Sequence, residues 1–247
     1  MLCRTRFALF SGVVPKWGLF ALRRVKGTGF SADTLIWPGR VVVKLHNPLM
    51  RLRHLSVPKK QRDESAFIYG PIKNRFEREY DMLQRLSGIG LSPTPIAHGS
   101  YYVAMEYVDA SPLYACLDDR PHLVSRVIHA IERMHEARLH HGDLTMGNIL
   151  VDSHDRIYLI DFETAFADFV PDEDRRTLDF VSLLRRLHQR HPGLAARYAA
   201  DFCRQILRVY PGFAGDVEKF DRYMTDEVAA DIRAVLDQRT EMETRAS

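Results

Sequence analysis

The pattern of apolar residues changes period part-way along the chain, and this change strongly constrains the fold. Residues 19–45 alternate in the manner of strands, with a Pro-Gly turn signal at 38–39 and a β-branched run at 41–43. In the second half, apolar residues mostly recur every three or four positions, as they do in amphipathic helices. This order predicts an α+β protein of two lobes, a small antiparallel-sheet lobe with one helix and a larger, mainly helical lobe.

Within the first half, residues 74–87 have the spacing of one helix, which Gly88 ends. Further short strands are expected near residues 96–97 and at 101–108. The first polar break after them, Asp109 to Pro112, predicts a boundary between residues 1–108 and 109–247. The apolar face of the helix is predicted to consist of Phe76, Tyr80, Leu83 and Leu86.

The second half is predicted to begin with a helix from near Pro121 to Arg138, capped by Asp118 or Asp119. Two short strands should flank the turn at 153–155, and further amphipathic helices should follow. The apolar stripe of the helix predicted from Pro121 to Arg138 consists of Val124, Val127, Ile131 and Met134.

Basic residues are concentrated near the start of the chain. Residues 1–62 hold 13 Lys and Arg against one acid, Asp33, whereas residues 63–247 hold 22 Lys and Arg against 31 Asp and Glu. Such asymmetry indicates an anionic partner for the first part of the chain, or a solvated basic face.

Composition excludes several classes of protein. Hydrophobic residues make up 46% and charged residues 27%, which is typical of globular proteins and not of disordered or collagen-like chains. The three cysteines, Cys3, Cys116 and Cys203, form no spaced pair, so we expect no zinc cluster and a reducing compartment. We find no apolar run of the roughly 20 residues that span a bilayer, expect no cleaved signal, and predict a cytoplasmic location.

A polar segment, residues 141–148 (HGDLTMGN), lies between two apolar stretches. Asp143 and Asn148 are five positions apart, and Asp161 follows Asn148 by 13. Phosphoryl transfer needs a carboxylate that orients the attacking hydroxyl, and a carboxylate with an amide oxygen that hold Mg²⁺ against a triphosphate. The alternative is a polar loop without a catalytic role.

The string HGDLTMGN followed by Asp161-Phe162-Glu163 resembles the catalytic segment of the protein-kinase-like superfamily. The resemblance covers about residues 20–190. It implies an ATP-dependent kinase in which Asp143 is the catalytic carboxylate, while Asn148 and Asp161 bind Mg²⁺.

Upstream residues agree with this resemblance in their order. Lys44 closes the run 41–43 and resembles the strand lysine that grips the α- and β-phosphates of ATP. In the family a glutamate on the next helix holds this lysine, and Glu79 is our choice. Glu77 is the alternative, since both glutamates precede apolar residues of one helix. They are two positions apart and therefore point to different faces of it.

Residues 102–108 resemble the strand and hinge that bind adenine. Main-chain groups near Glu106 and Val108 would then meet the edge of the base, and Met105 would back its pocket. The turn with Gly27 and Gly29 resembles the loop that covers the phosphates, although a simple hairpin turn explains two glycines equally well.

Several departures distinguish the chain from regulated protein kinases. Gly142 replaces an arginine, so control by activation-loop phosphorylation is not expected, and Glu163 replaces the glycine of the DFG triplet. Only 17 residues separate Asp161 from Asp179, without an APE triplet, so a peptide platform is not expected. Asp179 resembles the buried aspartate that accepts N–H bonds from the catalytic loop. These traits resemble the compact atypical branch: lipopolysaccharide core kinases (Kdo and heptose kinases), RIO-type kinases, tRNA-modification kinases and aminoglycoside phosphotransferases.

The segment 46–62 is the sequence feature that bears on the acceptor. Its basic residues alternate with apolar ones, as in segments that lie on anionic membranes or bind phosphorylated glycolipids. We therefore expect an anionic acceptor, a lipopolysaccharide core sugar first, and peripheral contact with the inner membrane; nucleic acid is not expected. The alternatives are an atypical Ser/Thr protein kinase, a small-molecule phosphotransferase and a non-catalytic pseudokinase-like module. The basic residues are Arg51, Arg53, Lys59, Lys60 and Arg62.

Overall fold

The computed structural model describes residues 23–25, 32–46, 75–162, 165, 172–217 and 225–246. The chain divides into two compact units, Met1–Asp109 and Ala110–Ser247. The predicted glycine turn with Gly27 and Gly29, residues 47–62 of the basic segment and Glu163 lie outside the described residues.

The first unit is built on a five-stranded antiparallel sheet. In chain order its strands are β1 (Arg23–Val25), β2 (Ala32–Trp37), β3 (Val41–His46), β4 (Pro95–Gly99) and β5 (Tyr102–Glu106). Their order across the sheet is β1-β2-β3-β5-β4. Alternate residues of β3, namely Val41, Val43 and Leu45, form a buried cluster with Ala104 of β5. The two-residue alternation of the sequence therefore has its physical basis in one apolar face of this sheet.

A single helix, α1 (Arg75–Ser87), follows β3 in sequence and packs against β4 and β5. The predicted helix is confirmed, and the chain leaves it through Gly90, whose φ of +72° suits glycine. One residue of the predicted apolar face is placed differently. Tyr80 is only half-buried and lies against the ring of His98, with a centroid distance of 4.4 Å. The apolar residues buried on α1 are Phe76, Met82, Leu83 and Leu86.

The second unit contains a three-stranded antiparallel sheet in the order β6-β7-β8, formed by β6 (Ala110–Pro112), β7 (Ile149–Asp152) and β8 (Ile157–Leu159). The two strands around the turn at 153–155 are confirmed. The polar stretch before Leu113, interpreted from sequence as a break, instead pairs as β6 with β7. Pro112 is compatible with this pairing because it lies at the end of an edge strand.

The remaining elements of the second unit are helical. They are a 3-10 turn at Leu113–Ala115, then α2 (Leu123–Glu136), α3 (Asp172–Arg190), α4 (Pro192–Val209), α5 (Phe213–Val217) and α6 (Asp226–Ala246). Helix α4 packs against α2, α3 and α6. All four residues of the predicted stripe on α2 are buried. The largest fully buried side chains of this unit include Phe162, Phe180, Phe202 and Phe213.

The predicted cap of α2 is wrong. Helix α2 begins at Leu123, and its N-cap residue His122 makes no side-chain capping bond. Asp118 lies too far upstream to cap it and pairs instead with Arg197 of α4, with a distance of 2.8 Å between Nη2 and Oδ2. The carboxylate thus links two elements instead of ending one.

The two units confirm the predicted fold class, a mixed α+β chain with a small antiparallel sheet first and several helices after it. Within the described residues, no helix combines the length and apolar character needed to cross a bilayer.

Candidate active site

In the first unit, the side chain of Lys44 donates a hydrogen bond from Nζ to Oε1 of Glu79. The residues are 9% and 1% exposed, so this is a buried ion pair between β3 and α1. Because Val43 and Leu45 point into the sheet's apolar cluster, Lys44 projects from the opposite face of β3. Strand alternation therefore determines the side of the sheet on which the cation lies.

The position of Glu79 on α1 explains why it, and not Glu77, meets the lysine. Glu79 follows Phe76 by three residues and precedes Leu83 by four, so it shares the buried face of the helix. Glu77 lies off that face and is exposed. The contact that the sequence left open between two glutamates is made by Glu79.

The end of β5 presents main-chain groups of the predicted hinge. Met105 is buried, and the N–H of Glu106 donates to the carbonyl of Thr94 at 2.8 Å. The N–H of Tyr107 donates to the carbonyl of Arg40 at 3.3 Å. In the described part of the chain, the Val108 N–H meets no backbone carbonyl, so it is the candidate donor to a planar base.

In the second unit, Asn148 links the predicted catalytic residues through two hydrogen bonds. Its Nδ2 donates to the main-chain oxygen of Asp143 at 3.0 Å, and its carbonyl accepts from the N–H of Ile160 at 3.0 Å. Asp161 is the next residue after Ile160. The structure thus brings Asp143, Asn148 and Asp161 to one end of the β7-β8 hairpin.

The donor atoms of this group fit a magnesium ion. Because Nδ2 of Asn148 is committed to Asp143, its Oδ1 is left as an oxygen donor, and it accepts no hydrogen bond from the described residues. Asp161 is half-buried and has a φ of +71°, a conformation that is uncommon outside glycine and is concentrated at functional sites. An amide oxygen and a carboxylate are the hard ligands that Mg²⁺ takes.

Asp179 of α3 fastens the start of the catalytic loop. Its Oδ2 accepts from the N–H of His141 at 2.9 Å, and its Oδ1 accepts from the N–H of Gly142 at 2.8 Å. Gly142 has a φ of +79°, which a side chain would strain. The predicted structural role of Asp179 is confirmed.

A buried ionic cluster surrounds this aspartate. His135 of α2 lies 3.1 Å from Asp179 Oδ2 through Nε2, and 3.8 Å from Glu132 Oε2 through Nδ1. Burial opposes the charge and lowers the pKa of His135, but the hydrogen bond with Asp179 and the nearby Glu132 carboxylate outweigh it and raise this pKa above its ordinary value. Burial likewise raises the pKa of Asp179, and the bonds from His135 and the loop outweigh it, so this pKa is lowered. Both shifts favour the charged forms of the pair.

His141 and Phe162 pack together beneath the loop. His141 is fully buried, its Nε2 lies 3.0 Å from the carbonyl of Ile160, and its ring lies 4.8 Å from that of Phe162. This contact joins the HGD segment to the triplet at 161–163. It fixes the backbone on either side of Asp161.

Two residues near the site were not identified from sequence. His135 carries a polar group on the apolar face of α2, four residues after Ile131, and such a misplaced polar residue is a usable signal. Arg186 follows Asp179 by seven residues on α3, and its Nη2 lies 3.7 Å from Oδ1 of Asp143. Its spacing from Asp179 places both on one face of α3.

A protein-family model, the RIO domain, matches residues 43–176. The chain belongs to the RIO domain family. The matched segment begins in β3, just before Lys44, and ends in the first turns of α3, just before Asp179. It therefore includes Glu79, Asp143, Asn148 and Asp161, the side chains that form the two groups described above.

This RIO domain is similar to two kinds of curated protein. It is 30% identical over 116 residues to the 3-deoxy-D-manno-octulosonic acid kinase of Vibrio cholerae, covering 42% of this chain and 49% of that protein. The kinase of the same name from Photobacterium profundum is 33% identical over 117 residues, covering 42% and 50%. A probable bifunctional tRNA threonylcarbamoyladenosine biosynthesis protein of Methanosarcina acetivorans is 28% identical over 156 residues, covering 62% and 25%. The chain thus spans about half or less of the length of these relatives.

Proposed function

We propose that this RIO domain is an ATP-dependent kinase that transfers the γ-phosphate to a hydroxyl group. The observation that carries the proposal is a pair of hydrogen bonds made by Asn148. One joins it to Asp143 and the other to Ile160, the residue before Asp161. Phosphoryl transfer requires a carboxylate, here Asp143, close to oxygen ligands for a metal ion, here Asn148 and Asp161. The buried Lys44–Glu79 pair of the first unit supports the same chemistry.

Each residue has a distinct role in the proposed reaction. Asp143 orients the acceptor hydroxyl and accepts its proton while the hydroxyl oxygen bonds to the γ-phosphorus. The bond from that phosphorus to the bridging oxygen of ADP breaks, giving a phosphate monoester and ADP. Lys44 binds phosphate oxygens of ATP, held by Glu79. Asn148 and Asp161 hold Mg²⁺, which when bound would neutralise charge on the phosphates.

We further propose that the acceptor is a lipopolysaccharide core sugar of the 3-deoxy-D-manno-octulosonic acid class. Similarity covers about half of two kinases with that name and only a quarter of a tRNA biosynthesis protein. The basic segment 46–62 supports an anionic glycolipid at a membrane surface. A protein hydroxyl is the alternative, since RIO-type kinases share the family.

The test compares acceptors directly. The purified chain is incubated with radiolabelled ATP, Mg²⁺ and either lipid A carrying unphosphorylated 3-deoxy-D-manno-octulosonic acid or a generic protein substrate, with Asp143→Asn as the inactive control. Label in the glycolipid that disappears in the control supports the proposal. Label in protein alone would contradict the proposed glycolipid acceptor and still support the proposed kinase activity. ATP turnover that matches the control with both acceptors contradicts the kinase itself.

The basic segment has its own test. Changing Arg51, Arg53, Lys59 and Lys60 to Gln should weaken binding to phosphatidylglycerol vesicles, since each charge contributes about 1 kcal/mol near an anionic surface. The KM for ATP should barely change, and added salt should weaken wild-type binding. Binding equal to wild type at about 50 mM salt, where screening is modest, would remove the charge argument for a glycolipid. The matched control changes four exposed arginines of the second unit to Gln: Arg126, Arg190, Arg208 and Arg233.

A further inference from the structure

Arg186 of α3 is the cation that reaches the carboxylate of Asp143 within the described part of the chain. Its Nη2 lies 3.7 Å from Asp143 Oδ1. Asn148 does not restrain this carboxylate, because its Nδ2 bonds the main-chain oxygen of Asp143. The backbone of the catalytic loop and its reactive carboxylate are thus restrained by different residues.

The same helix restrains both parts of the loop. Asp179 accepts the N–H groups of His141 and Gly142, and Arg186 lies two helical turns later on the same face. Helix α3 runs from Asp172 to Arg190 and packs along α4, so it is a rigid support for both side chains. A carboxylate facing Arg186 has its orientation restricted relative to the backbone that Asp179 fixes.

The local sequence of the loop gives this contact its importance. The polar residue two positions after Asp143 is Thr145, which is buried and carries no charge. Across residues 141–148 the sequence HGDLTMGN contains neither Lys nor Arg. Any Lys or Arg beside Asp143 must therefore come from outside the loop, and α3 provides Arg186.

We propose that Arg186 is a positioning residue for Asp143, holding its carboxylate in the orientation that receives the acceptor's proton. The proposal rests on the kinase activity proposed above. As apo structures show, such contacts are often long before substrate binds, and they tighten when water is excluded from the site. The contact of 3.7 Å joins two side chains that are 27% and 33% exposed, so both remain accessible to an incoming hydroxyl.

The first test uses three variants and measures kcat and the KM for ATP separately. Arg186→Gln should lower kcat about tenfold to a hundredfold, the scale of a misplaced catalytic group, and leave the KM for ATP nearly unchanged. Arg186→Lys keeps the charge and should recover most of the lost rate. Arg190→Gln, an exposed arginine on the same helix, is the matched control and should behave as wild type. The thermal midpoint of Arg186→Gln should change little, since partly exposed ion pairs stabilise weakly.

The second test asks whether Arg186 acts through Asp143. In single-turnover assays, Arg186→Gln should change the residual rate of an Asp143→Asn background less than twofold, because there is no carboxylate left to position. An equal effect in both backgrounds would overturn the proposal, as would a wild-type kcat in Arg186→Gln or a lysine variant no better than the glutamine variant. Wild-type protein with no turnover of Mg·ATP would instead overturn the proposed function, and this inference with it.

Discussion

The two groups of candidate residues are constructed in different ways. Lys44 and Glu79 are buried and meet directly, each placed by a regular element. Asp143 has a side chain that is 33% exposed, and it lies in a loop without helix or strand structure of its own. In the second group the backbone is held, by Asp179 and Asn148, while the reactive side chains remain accessible.

This difference shows which contacts maintain the geometry of each group. A buried ion pair is held by its own geometry, and losing one partner leaves a charge without compensation. A loop whose backbone is fastened by a buried carboxylate can lose a reactive side chain and keep its shape. Variants of the first group should therefore affect stability and activity together, whereas variants of the second should separate them.

The largest expected effect comes from the second group. Asp161→Asn should lower Mg·ATP turnover about a thousandfold, because replacing a charged carboxylate ligand by a neutral amide oxygen forfeits several kcal/mol of charge stabilisation. Asn tolerates the positive φ of this position, so the fold should remain. Turnover is measured beside a thermal unfolding curve, with the exposed Asp237→Asn on α6 as control. Near wild-type turnover in the folded variant would contradict a role for the Asp161 negative charge in holding the metal.

The first group gives the next largest effect. Glu79→Ala should lower the free energy of unfolding by about 3 kcal/mol, since it removes the carboxylate that pairs with the buried Lys44 ammonium, and it should lower kcat as well. Glu77→Ala, an exposed residue on the same helix, should change neither. Urea denaturation and steady-state kinetics measure the two quantities.

A double variant sharpens this result. Lys44→Met with Glu79→Leu replaces the buried charges by apolar groups of similar size, which is often neutral for stability. Stability should return toward wild type while activity stays lost. A double variant that remains as unstable as Glu79→Ala would mean that lost packing, and not the broken ion pair, causes the loss of stability.

Periodicity and local turn signals were sufficient to predict most elements. Helix α1, the strands of the first unit and the hairpin of β7 and β8 follow from alternation, apolar spacing and turn residues. The sequence pattern was insufficient for β6, which contains a proline and pairs with a strand about 40 residues later. Its pairing depends on tertiary contacts that a local pattern does not contain.

In the candidate site, too, local sequence predicts some residues and misses others that depend on distant contacts. Spacing within residues 141–161 identified Asp143, Asn148 and Asp161, because these residues are close in sequence as well as in space. Arg186 escaped notice because its partner is 43 positions away and because arginines are common on helix surfaces. The choice between Glu77 and Glu79 was within reach of the sequence, since only Glu79 shares a helix face with Phe76 and Leu83.

The smallest expected effect concerns the fastening of the loop backbone by Asp179 and its partner His135. His135→Gln should lower the free energy of unfolding by roughly 1–2 kcal/mol, the contribution of a hydrogen bond to a charged group. The effect should depend on pH in a defined direction. The pKa of His135 is raised in the folded state, so its contribution is complete below its unfolded value of about 6.5 and is lost as pH rises through the folded value.

At acidic pH, protonation of Asp179 limits the stabilisation that its contact with His135 provides. Its pKa is lowered in the folded state, so its stabilising effect is present above its unfolded value of about 3.9 and is lost as pH falls through the folded value. The difference in unfolding free energy between wild type and His135→Gln should therefore be greatest between about pH 4 and 6.5 and should shrink at alkaline pH. Urea denaturation across this range measures it, with the exposed His129→Gln on α2 as control. A difference that stays constant with pH would mean that His135 is neutral in the folded chain and that the loop is held by Asp179 without a charged partner.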